Sequence, residues 1–206
     1  MLDTEKSQID IRISACLIVK NESEQLGKAL SDLSEVCDEI VVVDTGSTDN
    51  TVSIAKVHGA RVFSYNWIDH FGKARNYSFD QAKNDWIFYI DADERLSKSL
   101  KAHLKSLPNR SGSAVFRFPV IDELAPNAGG TNPGPIRLFD RRFFRYSEDP
   151  HGHTQTPIFD CPQVNTSYPI IHCQRNNSTL LNGSHSYAME YEILNECLNN
   201  AKTVVA

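Results

Sequence analysis

The chain has 206 residues, with 21 Lys and Arg against 26 Asp and Glu for a formal charge of −5. At about 150 residues per domain this is one domain, or one with a substantial tail, able to bury a core without disulfide or metal staples. The acidic balance argues against a dedicated nucleic-acid binder, and no run approaches the roughly 18 to 20 apolar residues of a membrane span. The start, Met1-Leu2-Asp3-Thr4-Glu5-Lys6, lacks the basic-then-apolar order of a signal peptide, so a soluble, intracellular protein is expected.

The first half alternates strand and helix signals. Ile13 to Val19 is an apolar run of strand length, followed by the polar turn Lys20-Asn21-Glu22-Ser23. Leu26, Leu30 and Leu33 then recur at helical spacing, with Ser23 as the N-cap. Glu39 to Asp44 is β-branched and apolar on both faces, as buried parallel strands are. A short helix carries Val52, Ala55 and Lys56, and Gly59 sits where a left-handed C-terminal cap belongs. Arg61-Val62-Phe63 reads as a third strand, and Phe71 to Ala82 as a helix with Ala74, Phe79 and Ala82 inward. Trp86 to Asp91 is a fourth strand ending in carboxylates. Ser97 caps a helix with a Leu100, Leu104 and Leu107 stripe, stopped by Pro108. Connections this short between strands and helices imply parallel strands with right-handed crossovers.

After Asn109 the character changes. Ser113 to Val120 and Pro135 to Arg142 alternate apolar and polar residues, which predicts strands with one wet face, and Asp122 to Pro133 reads as a mobile surface loop. Tyr168 to Cys173 is a further short strand, and Tyr187, Tyr191, Leu194 and Leu198 suggest a C-terminal helix. The whole reads as a single domain over 1–206, with a nucleotide-fold half over about 10–108 and a mixed half over about 109–206. Five scattered cysteines, Cys16, Cys37, Cys161, Cys173 and Cys197, form no CxxC pair and read as structural thiols in a reducing compartment.

Polar clusters follow the first, second and fourth strands: Lys20-Asn21-Glu22, Asp44-Thr45-Gly46-Ser47 and Asp91-Ala92-Asp93-Glu94. Ligands bind open parallel sheets in the crevice outside those strand ends, so the clusters can share one site. Asp91 and Asp93 can hold a divalent cation while a diphosphate supplies further oxygens; the bland alternative is a strand-ending turn with Glu94 on a solvated face. Asp44-Thr45-Gly46-Ser47 admits several readings. An aspartic-protease turn needs an all-β chain, a haloacid-type phosphotransferase needs a second Asp where Gly46 stands, and an actin-like ATPase needs a much longer chain. A fourth has Asp44 accept hydrogen bonds from a base or ribose while Gly46 permits a tight turn, and a fifth leaves Ser47 or Asp49 as a mere helix cap.

Lys73 and Arg75 near helix-terminal amides suit a phosphate, or form a solvated helix face. Arg137, Arg141, Arg142 and Arg145 could meet an anionic acceptor or a membrane, or guard an exposed strand edge. Among His151, His153 and His172, the last is the best metal-ligand candidate because it ends an apolar strand as Asp91 does. His58, His70, His103 and His185 give no such cue.

Taken in order, Cys16-Leu17-Ile18-Val19-Lys20-Asn21-Glu22, Ile40-Val41-Val42-Val43-Asp44-Thr45-Gly46-Ser47-Thr48-Asp49, Phe71-Gly72-Lys73-Ala74-Arg75-Asn76 and Asp91-Ala92-Asp93-Glu94 closely resemble the inverting glycosyltransferases of family 2. More narrowly they resemble the bacterial subgroup related to lipopolysaccharide-core glucosyltransferases. The resemblance spans roughly the first half of the chain and implies a GT-A fold, an α/β nucleotide-diphospho-sugar transferase with a mostly parallel sheet flanked by helices and a mixed acceptor half. It implies a nucleotide diphosphate sugar donor, UDP-hexose by preference, with Mg2+ or Mn2+, and a glycan or glycolipid acceptor.

Carried over by motif, Glu22 and Asp44 contact the nucleoside, Lys73 and Arg75 the diphosphate or sugar, Asp91 the ribose or metal, and Asp93 the metal. Arg137-Leu138-Phe139 also looks like the subgroup, in which such a strand precedes a His-Glu pair that places the catalytic carboxylate. Here Gly152 follows His151 and Thr154 follows His153, which leaves Glu148 and Asp149 as nearby replacements, with Asp149 the candidate base.

The implied activity is metal-dependent inverting sugar transfer in the cytoplasm, with peripheral contact at the inner face of a membrane. The alternative is a sugar-nucleotide-binding subunit that kept the pocket and lost the base. A nucleotidyltransferase is disfavoured because no Gly-rich loop with a basic residue follows the first strand.

Overall fold

The apolar runs of the first half become β1 (Ile13–Val19), β2 (Glu39–Asp44), β3 (Arg61–Ser64) and β4 (Trp86–Tyr89), with α1 (Leu26–Ser34), α2 (Thr51–Val57) and α3 (Phe71–Gln81) between them. Beyond β4 come β5 (Glu94–Leu96), α4 (Lys98–Lys105), β6 (Val115–Arg117), β7 (Val120–Asp122), β8 (Ile136–Asp140), β9 (Phe144–Tyr146), β10 (Gln155–Pro157), β11 (Gln163–Asn165) and β12 (Ile170–His172). The computed structural model describes residues 11–107, 114–126, 131, 133–147, 155–157 and 161–173. The predicted C-terminal helix with Tyr187, Tyr191, Leu194 and Leu198, the stop at Pro108, and His151, His153 and His185 lie outside the described residues.

The central sheet has seven strands in the order β11-β6-β8-β4-β1-β2-β3. β4, β1, β2 and β3 run parallel, while β8 runs antiparallel between β4 and β6. The predicted α/β class, a mostly parallel sheet flanked by helices, is therefore the architecture seen. Two smaller sheets, β5-β12-β7 and β10-β9, complete it.

Alternate residues of each strand enter different cores, which is why the strands read as unbroken apolar runs. On one face Ala15, Leu17, Val42, Phe88 and Leu138 meet Leu26, Leu30 and Leu33 of α1 and Leu100 and Leu104 of α4. On the other Cys16, Val41, Val43, Ile87, Tyr89 and Phe139 meet Phe79 of α3 and Phe144 and Tyr146. Phe79 packs edge-on against Phe139 at 5.1 Å and Tyr89 at 6.2 Å, the geometry that ring quadrupoles favour. Cys16 is fully buried and Cys37 is half-buried; burial pushes both thiols up, consistent with inert core groups.

Several expectations need correction. Ser23 does not cap α1: the N-cap is Gln25 with no side-chain hydrogen bond, and the Ser23 N–H goes to Asp49 Oδ2 at 3.2 Å. Ser97 does cap α4, accepting from the Leu100 N–H at 3.1 Å. β8 has no wet face; all five of its residues are buried, because it is an inner strand covered on both sides. The α3 helix is not a solvated face either, since Arg75, Asn76 and Ser78 are buried alongside Ala74 and Phe79. Asn76 acts as a surrogate strand: its Nδ2 donates to the Tyr146 carbonyl at 3.1 Å and its Oδ1 accepts from the Tyr146 N–H at 2.9 Å. Among the described residues no helix is long and apolar enough to cross a membrane.

Candidate functional site

Parallel strands in register end at one edge, where Val19, Asp44 and Ser64 align across β1, β2 and β3. The loops that follow β1 and β2 are tied to each other. The Asn21 N–H donates to Ser47 Oγ at 2.9 Å, the Thr48 N–H donates to Asn21 Oδ1 at 2.8 Å, and the Glu22 N–H donates to Thr51 Oγ1 at 2.7 Å. Asn21 takes the left-handed conformation at φ 55°, which Asn tolerates, and Gly46 sits at φ 107°, where a Cβ is strained.

The nearly buried Asp44 carboxylate faces its own turn, accepting from the Ser47 N–H at 3.1 Å and the Gly46 N–H at 3.3 Å. The first two polar clusters are thus brought together, with Glu22 half-buried beside them. Asp49, neighbour to both, is held at about 2: burial pushes its carboxyl up, but hydrogen bonds from Thr51 and Ser23 outweigh that.

The third cluster is built differently. β4 ends at Tyr89, and the turn from Asp91 to Glu94 closes on itself, with the Asp91 N–H on Glu94 Oε2 at 2.9 Å and the Glu94 N–H on the Asp91 carbonyl at 3.1 Å. The Tyr89 hydroxyl accepts from Arg75 Nε at 2.8 Å and donates to Asp91 Oδ1 at 2.6 Å. Burial pushes the Tyr89 phenol well up, so the hydroxyl stays protonated and serves as a hydrogen-bond donor to Asp91. Arg137 of β8 forks between the other two acceptors, Nη1 at 3.2 Å from Asp91 Oδ2 and Nη2 at 2.6 Å from Glu94 Oε1. The Tyr89 ring carries Arg75 at 4.9 Å and Arg137 at 5.0 Å from its centroid. Two guanidiniums thus balance two carboxylates in a low-dielectric pocket, which is the condition for burying any of them.

Glu94 is fully buried, not on a solvated face, and Arg137 is 3% exposed, not a charge on a strand edge. The rest of the basic stretch is also engaged within the chain. Arg141 donates to the carbonyls of Phe79 and Ala82 at the end of α3, Arg142 pairs with Asp140 at 2.5 Å, and Arg145 pairs with Asp80 at 2.6 Å.

Asp93 points the other way. Its Oδ2 lies 3.4 Å from His172 Nε2, both side chains about a quarter exposed, and its carbonyl accepts from the Cys173 N–H at 2.8 Å. His172 is delivered by β12, which pairs antiparallel with β5 so that His172 stands opposite Glu94. The hydrogen bond to Asp93 raises the His172 pKa against its burial, with the charges of Asp93, Glu94 and Asp122 adding to the rise.

An imidazole nitrogen and a carboxylate oxygen, convergent and reachable from solvent, suit Mn2+ or Mg2+ with other ligands from a bound anion. Among the described residues no group of three His, Cys, Asp or Glu side chains forms a fuller shell. Lys73 stands half-buried in the first turn of α3. Asp149 and Glu148 lie outside the described residues.

Sequence reasoning missed the roles of Tyr89 and His70, and it named Glu94 and Arg137 without their pairing. His70 caps α3, its Nδ1 accepting from the Lys73 N–H at 3.2 Å. A signal existed for Arg137: it alternates in phase with Phe139, not with Leu138, and so shares the face of Tyr89 and Phe79.

The family model described as glycosyl transferase family 2 matches residues 14–162. A protein of Rickettsia bellii named an uncharacterized glycosyltransferase is 42% identical over 154 residues, which are 71% of this chain and 52% of that protein. The chain spans about half the length, or less, of the curated relatives it matches. Among solved structures, Staphylococcus aureus TarS 1–349 in complex with UDP superposes with TM-score 0.55 at 16% identity, covering 80% of this chain and 61% of that one. The glucosyl-3-phosphoglycerate synthase of Mycobacterium tuberculosis in complex with Mn2+, UDP and phosphoglyceric acid gives 0.50 at 21%, covering 65% and 57%. The family match over most of the chain leads to one conclusion: the chain belongs to glycosyl transferase family 2.

Proposed function

We propose that the protein is a metal-dependent inverting glycosyltransferase that moves a hexose from a UDP-sugar to a hydroxyl of a glycan or glycolipid. The observation that carries this reading is the Asp93–His172 contact at the mouth of the Asp91–Glu94 turn, 3.4 Å across. The UDP and Mn2+ named with the two structural neighbours support the choice of donor and ion. Asp93 and His172 hold Mg2+ or Mn2+, Glu22 and Asp44 border the nucleoside, Lys73 meets the diphosphate, and Arg75 and Asp91 stand behind it. A bound divalent cation supplies charge neutralisation on the departing diphosphate. Asp149 takes the proton from the acceptor hydroxyl as its oxygen attacks the anomeric carbon. The bond from that carbon to the diphosphate oxygen breaks, and the configuration inverts.

The narrower kinship with lipopolysaccharide-core glucosyltransferases makes a bacterial glycolipid core the acceptor class, met at the cytoplasmic face of a membrane. The test is a thermal-shift screen of nucleotide sugars with and without Mn2+, since a bound donor raises the melting temperature according to its affinity. UDP-sugars are expected to stabilise the parent only with the metal, and Asp93→Ala is expected to abolish that shift. An equal shift in Asp93→Ala removes the metal role. A second reading has its own motivation, the Gly152 and Thr154 that follow His151 and His153 where the family resemblance calls for Glu. Metal-dependent UDP-sugar binding with no transfer to any acceptor extract selects a sugar-nucleotide-binding subunit instead.

A further inference from the structure

Within four residues of chain the carboxylates take alternate directions. Asp91 and Glu94 turn inward to Arg137, and Asp93 turns outward to His172. A turn held at only one of its ends can pivot about that end. This one is gripped at both by a single planar group, with Nη1 on Asp91 and Nη2 on Glu94. The guanidinium is itself fixed. Arg137 is 3% exposed, lies on an inner strand whose Leu138 pairs with Phe88 of β4, and stacks 5.0 Å from the Tyr89 ring centroid. A side chain on β8 thus holds the two ends of the turn from which the Asp93 carboxylate projects.

We propose that Arg137 is a positioning residue of the donor site: its fork across Asp91 and Glu94 fixes the turn that presents Asp93 beside His172 to a metal-bound nucleoside diphosphate. The proposal rests on the donor-site reading above and extends it to a residue of the second half of the chain. Arginine is required because a Lys ammonium carries the same charge as a point, and cannot bridge two carboxylates along two fixed directions.

The full chain is compared with Arg137→Lys and with the charge-balanced pair Arg137→Met/Glu94→Gln. Three quantities are read: the melting temperature without ligand, hydrogen exchange at the Asp91 and Glu94 amides without ligand, and the Kd for UDP in the presence of Mn2+. Arg137→Lys is expected to fold, to exchange the Asp91 amide faster, and to raise the Kd for UDP by about 10- to 100-fold, the usual scale for loss of a support behind a metal ligand. The charge-balanced pair is expected to recover melting temperature while UDP binding stays weak.

Parental UDP affinity in either folded variant overturns the proposal. So does failure of both variants to fold, because Arg137 would then hold the fold as a whole and not the turn. If the parent binds no UDP with Mn2+, it is the donor-site reading that falls, and the parent alone reveals it. The amide exchange still reports separately whether Arg137 grips the turn.

Discussion

The turns after β2 and β4 end the two strands that flank β1, and each is built around carboxylates, yet they differ in how far along the chain their carboxylates find partners. The Asp44 turn is closed by its own next residues, the N–H groups of Gly46 and Ser47. The Asp91 turn has local bonds of its own, between Asp91 and Glu94, but both of its carboxylates are also gripped from far away, by Arg137 at sequence separations of 46 and 43. The bonds that close the Asp44 carboxylate lie within three residues of it, and the further ties of this turn run to the neighbouring loop after β1. The distant closure exists only when β8 is docked against β4, so the second half of the chain takes part in a turn whose residues all belong to the first. The comparison teaches that similar strand-end motifs can differ in what they require of the remainder of the fold.

The widest difference should appear on deleting one carboxylate. Glu94→Ala leaves the Arg137 guanidinium buried with half its grip, a change that costs about 3 to 5 kcal/mol for buried pairs. Urea denaturation is expected to show that loss, and Glu94→Gln, which keeps an acceptor for Nη2, is expected to lose clearly less. If Glu94→Ala unfolds at the parental urea concentration, the pair contributes nothing net and the distant closure is ornamental.

The same contrast explains what the sequence made legible. β1 and β2 match their predicted limits because strands buried on both faces are unbroken apolar runs, a property of adjacent residues alone. The left-handed positions at Gly46 and Gly59 were legible for the same reason. The burial of Glu94 and Arg137 is not legible in the same way, because a charge is usually exposed and only pairing reverses that rule. Pairing is a property of topology: nothing within the sequence around Glu94 announces a strand that begins more than forty residues later. The short strands β5 and β7 were hidden or blurred likewise, since runs of three residues carry too little periodicity to distinguish strand from loop, whereas β12 falls inside the strand expected over Tyr168 to Cys173. The candidate pair Asp93 and His172 was nevertheless named from strand-end position, and the structure brings the two side chains together.

An intermediate effect is expected at Gly46. Its φ of 107° belongs to a region that side chains avoid, and a Cβ there would meet nothing within 4 Å, so strain in the backbone is the whole cost. Gly46→Ala should lower stability by about 1 to 2 kcal/mol. Because the turn is local, Mn2+-dependent UDP binding measured well below the melting temperature should change less than in Arg137→Lys. A loss of binding as large as that of the arginine variant would erase the distinction between the two turns.

The smallest effect concerns acid. Asp49 beside the local turn titrates at about 2, below its ordinary 3.8, because hydrogen bonds from Thr51 and Ser23 outweigh the effect of burial. A carboxyl whose folded pKa is depressed adds stability that is complete above its unfolded value and disappears as pH falls through the folded one. Its contribution should therefore decline between about pH 4 and pH 2, and only slightly, since the group is exposed and screened by solvent. Asp49→Asn should flatten that part of the curve of urea midpoint against pH while leaving the curve above it parallel to the parent. Identical acid limbs in parent and variant would mean that the hydrogen bonds around Thr51 do not favour the ionised carboxylate, and that the local turn rests on the Asp44 carboxylate without help from Asp49.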